Sequence, residues 1–308
     1  MKIIDNKKGQ VFTLIAIALI GLLLISFEVF YLSQERFSVS TRISTMESFL
    51  YSIEENLERQ LYISGFRIIF LAENEITNTG QYIPNIDYFF EEAFFNGSVN
   101  GGEQEILNGA TYDDLILSLN EKAEKVNVDI ILSNPIISVK QTDSWHVNFT
   151  VSFYLLMEDR ADLAKWEKVQ EISALIPVSG FEDPIYTVNT NAKVSRKINS
   201  TIYNGIYTEG GINNLLNHVN NGYYSANTDA PSFLKKLEGD FSPDENGIES
   251  FVDLFELSSQ GVAVKDKSVV DHVYFSPDNP FSYNINGMPS WFKVDSGHLE
   301  AYNLTGYV

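Results

Sequence analysis

Residues 11–27 read VFTLIAIALIGLLLISF, an apolar run interrupted only by the hydroxyls of Thr13 and Ser26. Both hydroxyls can bond a helix carbonyl one turn back, so neither breaks the segment. Taken over residues 10–32, a helix rises roughly 33 Å at 1.5 Å per residue, enough to span a bilayer. Lys2, Lys7 and Lys8 precede the run, with only Asp5 opposing them. The positive-inside rule assigns that end to the cytoplasm. Phe27, Phe30 and Tyr31 then fall at the outer interface, where aromatic rings prefer to sit. A buried core helix would give no reason for the flanking charge. After Phe27 comes Glu28-Val29-Phe30-Tyr31, which lacks the small-x-small site of a cleaved secretory signal. The expected topology is therefore a single pass through the cell membrane. Residues 1–9 form a basic cytoplasmic tail, residues 10–32 lie in the lipid bilayer, and the body is extracellular.

Charge and composition narrow what that body does. Of 308 residues, 21 are Lys or Arg and 41 are Asp or Glu, a net charge of -20. Beyond the tail the balance is 18 basic against 40 acidic residues. Such a surface repels phosphate backbones, so nucleic acid is not an expected partner. The absence of cysteine removes disulfides, thiolate nucleophiles and Cys-ligated metals together. Stability must come from packing, and 21 Phe, 16 Tyr and 3 Trp can supply it.

The helix is expected to continue past the membrane. From Tyr31 to Arg67 there is no proline, and the first glycine is Gly65. Val39, Ile43, Met46, Leu50, Ile53 and Leu57 alternate four and three apart, an a/d seam on one helix face. Residues 33–75 therefore read as an extended stalk helix. Its seam packs either on the chain's own body or on a second copy. Arg42 falls on the wet face, where a charge reversal is expected to cost little. The pairs Glu54/Glu55 and Glu91/Glu92 read as solvated helix faces rather than acid–base pairs.

The rest reads as α+β, with an antiparallel β-meander domain over residues 76–195 and a mixed α+β region over 196–308. Residues 80–109 look loop-rich, with Asn96-Gly97 and Gly101-Gly102 as turn signals. A helix is expected over 112–125. Three strands follow at 126–140, 145–157 and 166–178. Pro135 marks an edge or a bulge in the first. The second alternates Val147, Phe149, Val151, Phe153 and Leu155 with polar neighbours, as a half-buried strand does. Further on, helical pieces are expected at 212–220, 230–237 and 247–257, and a strand at 268–275.

The junction Lys7-Lys8-Gly9-Gln10, followed directly by the apolar run, resembles the class III signal of archaeal type IV pilin-like proteins. The resemblance covers about the first thirty residues. It implies cutting by a prepilin peptidase between Gly9 and Gln10, on the cytoplasmic side, with the apolar helix retained. It also implies self-association, or packing with other pilin-like subunits, through that helix. Many members carry Glu at the fifth mature position; here that position is Leu14.

Motifs for chemistry are sparse. There is no P-loop, no nucleophile elbow and no His-Glu-x-x-His. His146, His218, His272 and His298 are far apart in sequence, and each reads as a surface or satisfied structural residue. Asp271 and His272 are adjacent, but in a strand they would face opposite ways. Ser242, Asp244, Asn246 and Asp253 match part of a calcium loop, with Gly247 at the sharp turn, although Ser stands first, Asp last, and Pro243 intervenes. No other cofactor is expected. Sequons at Asn96, Asn148, Asn199 and Asn303 are candidate glycosylation sites, because the topology puts all four outside.

The expected function is a membrane-anchored, extracytoplasmic structural protein, pilin-like or cell-surface-associated, and not an enzyme. Two alternatives stay open. One is a stalk-presented module binding glycan or polymer through aromatics such as Trp145, Trp291 and the Tyr223-Tyr224 pair. The other is a tethered hydrolase.

Overall fold

The computed structural model describes residues 7–203 and 211–308, with side chains from residue 11 onward. Lys2 and Asp5 lie outside the described residues.

One helix dominates the molecule. α1 runs unbroken over Lys7–Thr79, 73 residues, or roughly 110 Å at 1.5 Å per residue. Its first part is exposed: Phe12, Leu14, Ile17, Leu22 and Phe27 are each between 64% and 75% exposed. That stretch is long and apolar enough to cross a membrane. Its second part is the spine of the body, and Met46, Leu50, Ile53 and Leu57 are buried there. The seam therefore packs on the chain itself. Val39 is half-buried and Ile43 exposed, so the packed part begins at Met46, about two turns later than the heptads suggest. The helix stops at Gly80, which takes a left-handed backbone (φ 66°) and returns its N–H to Ile76.

Leu50→Asp is expected to destabilise the body by about 2–3 kcal/mol, because it forfeits an apolar contact and buries an unpaired carboxylate. The effect should be independent of protein concentration in thermal melts, since the partner surface belongs to the same chain. A melting point that climbs with concentration would place the seam between copies instead.

Residues 80–109 are more ordered than their turn signals suggest. Asn85 caps α2 (Ile86–Asn96) through its side chain on Tyr88 N–H, and Gly97 closes the helix with φ 64°. The Asn96-Gly97 turn signal is thus a helix end, and the aromatic run Phe89, Phe90, Phe94 is the helix's buried face. A small hairpin, β1 (Ser98–Val99) with β2 (Gly102–Glu103), follows. Glu92 is buried rather than solvated: its carboxylate accepts from Ser98 Oγ at 3.0 Å and from the N–H groups of Asn100 and Gly101 at 3.1 and 2.7 Å. Glu54 pairs with Lys168 at 2.8 Å.

α3 (Tyr112–Lys125) starts with a capping box between Thr111 and Asp114. The meander then forms as expected: β3 (Val128–Asp143), β4 (His146–Asp159) and β5 (Lys165–Pro177) pair antiparallel in that order. The register of edge strand β3 shifts between Ser133 and Ile136, where Pro135 has no N–H to give. Val147, Phe149, Val151, Phe153, Leu155 and Met157 of β4 face the core. Gly65 allows α1 to reach this face: a Cβ there would stand 2.9 Å from the Phe149 ring.

Beyond the sheet, short elements replace long ones: α4 (Pro184–Asn189), α5 (Ile212–Asn221), β6 (Ser225–Ala226), α6 (Phe233–Glu238), β7 (Ile248–Glu249) and α7 (Leu254–Ser259). They continue with α8 (Asp271–Phe275), β8 (Ser282–Asn284), β9 (Lys293–Asp295) and α9 (Ser296–Ala301). The strand expected at 268–275 is instead a bridge residue, Val270, followed by α8. The helix expected at 247–257 divides into β7 and α7 around Asp253, which caps α7. Two apolar cores interleave along the chain. Tyr224, Phe233 and Ile248 join the core built on α1 and the sheet, while Ile185, Tyr186 and Val194 join the C-terminal core with Phe251, Phe292 and Val294.

Candidate functional site

The short helices of the C-terminal part have one property in common: acidic residues cap or begin several of them, and those carboxylates turn inward. Asp183 caps α4 with Oδ1 on Ile185 N–H at 2.9 Å, and its Oδ2 accepts from Tyr224 Oη at 2.9 Å and from Lys236 Nζ at 2.7 Å. Lys236 comes from α6, and its ammonium also reaches Asp271 Oδ2 at 2.9 Å. All three charged side chains are fully buried. Asp271 opens α8 and accepts further bonds from Ser250 N–H and Oγ, both at 3.1 Å. Burial opposes charge on all three. It raises Asp183 above the usual carboxylate range, whereas the nearby cation holds Asp271 below it. The two carboxylates outweigh burial at Lys236, which is raised and stays charged.

A second group adjoins this triad. Asp295 caps α9, accepts from Ser268 Oγ at 2.7 Å, and holds His298 Nδ1 at 2.8 Å. His298 Nε2 meets Glu249 Oε2 at 3.1 Å. Glu249 also accepts from Asn227 Nδ2 at 2.7 Å and from the Tyr302 hydroxyl. His272 stands with Nδ1 3.4 Å from Asp271 Oδ1 and 3.8 Å from Glu249 Oε2. Burial disfavours the His298 cation, but its bonds to Asp295 and Glu249 prevail and raise it to about 10. The same pairing overcomes burial at Asp295 and lowers it to about 2.

All four histidines are surface or internally bonded residues, but the fold brings together two that lie far apart in sequence. His272 and His298 sit with ring centroids 5.4 Å apart. Asp271 and His272 touch because the segment is a helix start and not a strand. The one available signal was the repeated placement of Asp just before His, as Asp271-His272 and Asp295-x-x-His298. The other two behave as expected. His146 pairs with Asp143 at the surface, and buried His218 bonds Thr201 Oγ1 and Asn214 O, both at 2.8 Å.

The calcium-loop residues are otherwise engaged. Lys235 Nζ lies 3.1 Å from Ser242 Oγ, 2.7 Å from Pro243 O and 3.4 Å from Asp244 Oδ2, so an ammonium already serves these oxygens. Asn246 donates to Gln141 O at 3.0 Å, and Asp253 caps α7. Of the sequon residues, Asn96, Asn199 and Asn303 are exposed. Asn148 is half-buried, and its Oδ1 is enclosed without a hydrogen-bond partner. Of the aromatics considered for binding, Tyr224 is interior, while Trp145, Trp291 and Tyr223 are half-buried. Gly9 and Gln10 lie in the backbone of α1.

A cavity of about 380 Å³ opens between α1 and the turn after β5, lined by Phe66, Phe70, Glu73, Phe181 and Lys197. Glu73 accepts from Glu182 N–H and so fastens the turn to the spine. Burial raises its carboxyl from 4.5 to about 8, against the opposing effects of that bond and of Lys197. The folded protein thus holds a proton that the unfolded chain releases. Stability from this group is fully present below pH 4.5 and is lost as pH rises towards 8. Glu73→Gln keeps the acceptor and removes the charge. It should exceed the parent at pH 9 by on the order of 2–3 kcal/mol, allowing for partial exposure. Parallel urea midpoints for both proteins from pH 4.5 to 9 would refute this.

No protein-family model, curated protein or solved structure matches the chain.

Proposed function

We propose that the chain is a single-pass, membrane-anchored structural protein of the cell surface, built on the plan of a type IV pilin-like subunit. The observation that supports this most is the division of α1. One continuous helix has a first part apolar on every face and wholly exposed, and a second part that is the spine of a packed body. Roughly twenty consecutive apolar residues left in water would cost far more than a typical folding free energy. That surface needs lipid, or neighbouring helices of its own kind, around it. One continuous helix then ties the body directly to the apolar segment. The lysines at positions 2, 7 and 8 favour the cytoplasm for the other end. The Lys-Lys-Gly-Gln junction supports processing between Gly9 and Gln10.

Protease added to intact cells is expected to release peptides containing Trp145 and Trp291 and to leave residues 10–32 in the membrane. Protection of both peptides would reverse the orientation. Mass spectrometry of the native N-terminus separates two forms of anchor. A mature chain beginning at Gln10, with Gly9→Arg blocking the cut, supports the pilin-type form. A chain that retains residues 1–9 leaves a plain signal anchor.

A further inference from the structure

We propose that Glu249, His272 and His298 form a binding site for one divalent transition-metal ion of zinc's class. Each offers one ligand atom, all within 4.8 Å of one another, and all three residues are buried. Two imidazoles and one carboxylate are a donor set that zinc takes readily, whereas calcium needs six or more oxygens. The separations are close to those required. In a tetrahedral site with bonds near 2.1 Å, neighbouring ligand atoms stand about 3.4 Å apart. Glu249 Oε2 is 3.1 Å from His298 Nε2 and 3.8 Å from His272 Nδ1, one on each side of that value. The rings are tilted by 60° and are not stacked, so nitrogens from both can address one centre.

Three further observations point the same way. Asp295 holds His298 by Nδ1, both carboxylate oxygens lying 2.8 Å away, and this leaves Nε2 directed at Glu249. A carboxylate behind a histidine is the arrangement that orients a metal ligand. The surrounding charge also favours a cation. Among the described residues the connected carboxylates of Asp183, Glu249, Asp271 and Asp295 are opposed by two cations, the Lys236 ammonium and the His298 imidazolium, and a metal ion would take the place of the proton on His298 Nε2. Buried charge of one sign is costly unless it is paired or bound to metal. Finally there is a way in. A cleft of about 500 Å³, lined by Phe241, His272, Val273, Ser276 and Asp278, brings solvent to the edge of His272. This site is separate from the anchor, so the inference does not depend on the proposed function.

The test uses the full chain in detergent micelles, stripped with chelator and dialysed against Zn²⁺ alone, with bound metal counted by mass spectrometry. One zinc per chain and a higher melting temperature are expected. His272→Gln, at the edge of the cleft, should abolish retention. Asp295→Asn, which keeps the helix cap, should weaken the affinity 10–100-fold as a positioning residue. A folded parent that retains no zinc overturns the proposal, and so does His272→Gln with the parent's stoichiometry and affinity. Displacement of the zinc by equimolar Ca²⁺ would also overturn it. Should His272→Gln not fold, Co²⁺ in the parent decides. Strong ligand-field bands of a tetrahedral site support the assignment, and the weak absorption of octahedral cobalt refutes it.

Discussion

Lys236→Met is expected to cost about 3–5 kcal/mol and to unfold the C-terminal half first. The ammonium lies between Asp183 and Asp271 at 2.7 and 2.9 Å, and none of the three side chains is exposed. Methionine matches the length of lysine, so packing is nearly kept and the loss is electrostatic. Two carboxylates would remain in an apolar interior with no cation between them, and at least one would have to take up a proton. Urea denaturation followed by near-ultraviolet circular dichroism measures the loss. The cause is separable from the volume change. Adding Asp183→Asn and Asp271→Asn to Lys236→Met removes the orphaned charge, and Asn can still cap α4 through its side-chain oxygen. The triple variant should recover most of the lost stability, as replaced buried ion pairs often do. If the single and triple variants are equally destabilised, the charge balance is not what Lys236 provides.

Arg42→Glu is expected to detach the membrane-proximal end of the body, with a loss of about 3 kcal/mol or more. Sequence reasoning put Arg42 on the wet face of the stalk and expected almost no effect. The structure corrects this. Arg42 Nε donates to Asp159 Oδ1 at 2.6 Å, and Asp159 is only 1% exposed. Its Nη2 donates to Val126 O at 2.7 Å and Asn127 O at 2.8 Å, at the end of α3. One guanidinium thus joins α1, α3 and the end of β4. Glutamate would remove three bonds and place a second carboxylate beside a buried one, which is the costly way to break such a pair. Hydrogen exchange should rise in residues 126–129 and 159–163, while the centre of the sheet stays protected. Arg42→Lys keeps the charge but not the fork, so it should fall between parent and Arg42→Glu. Unchanged exchange in Arg42→Glu would mean that the clamp holds nothing.

What the sequence conveyed was whatever depends on neighbours along the chain. The apolar run and the absence of proline up to Arg67 specify one long helix. The heptad positions Met46, Leu50, Ile53 and Leu57 name its buried face. The alternation from Val147 to Leu155 specifies a strand, and Pro135 marks the break in its edge partner. These are local because helix and strand periods repeat every few residues, and burial on one face leaves that period in the text. Residues 85–97 were legible in principle, since Asn85 and Gly97 are ordinary helix caps, but the glycines around them suggested a loop.

What only the tertiary structure decided was which distant residues share an interior. Lys236 is 53 positions from Asp183 and 35 from Asp271, and Glu249 is 49 positions from His298. No period links them, because the C-terminal helices are mostly five or six residues long and the inward charges are scattered among different elements. Arg42 shows the same limit on a helix whose period was read correctly, since Asp159 is 117 residues away. The choice between packing the seam on a second copy and packing it on the body was likewise tertiary. Apolar side chains specify that a face is buried, while the shape of the sheet, with Gly65 set against Phe149, decides what buries it.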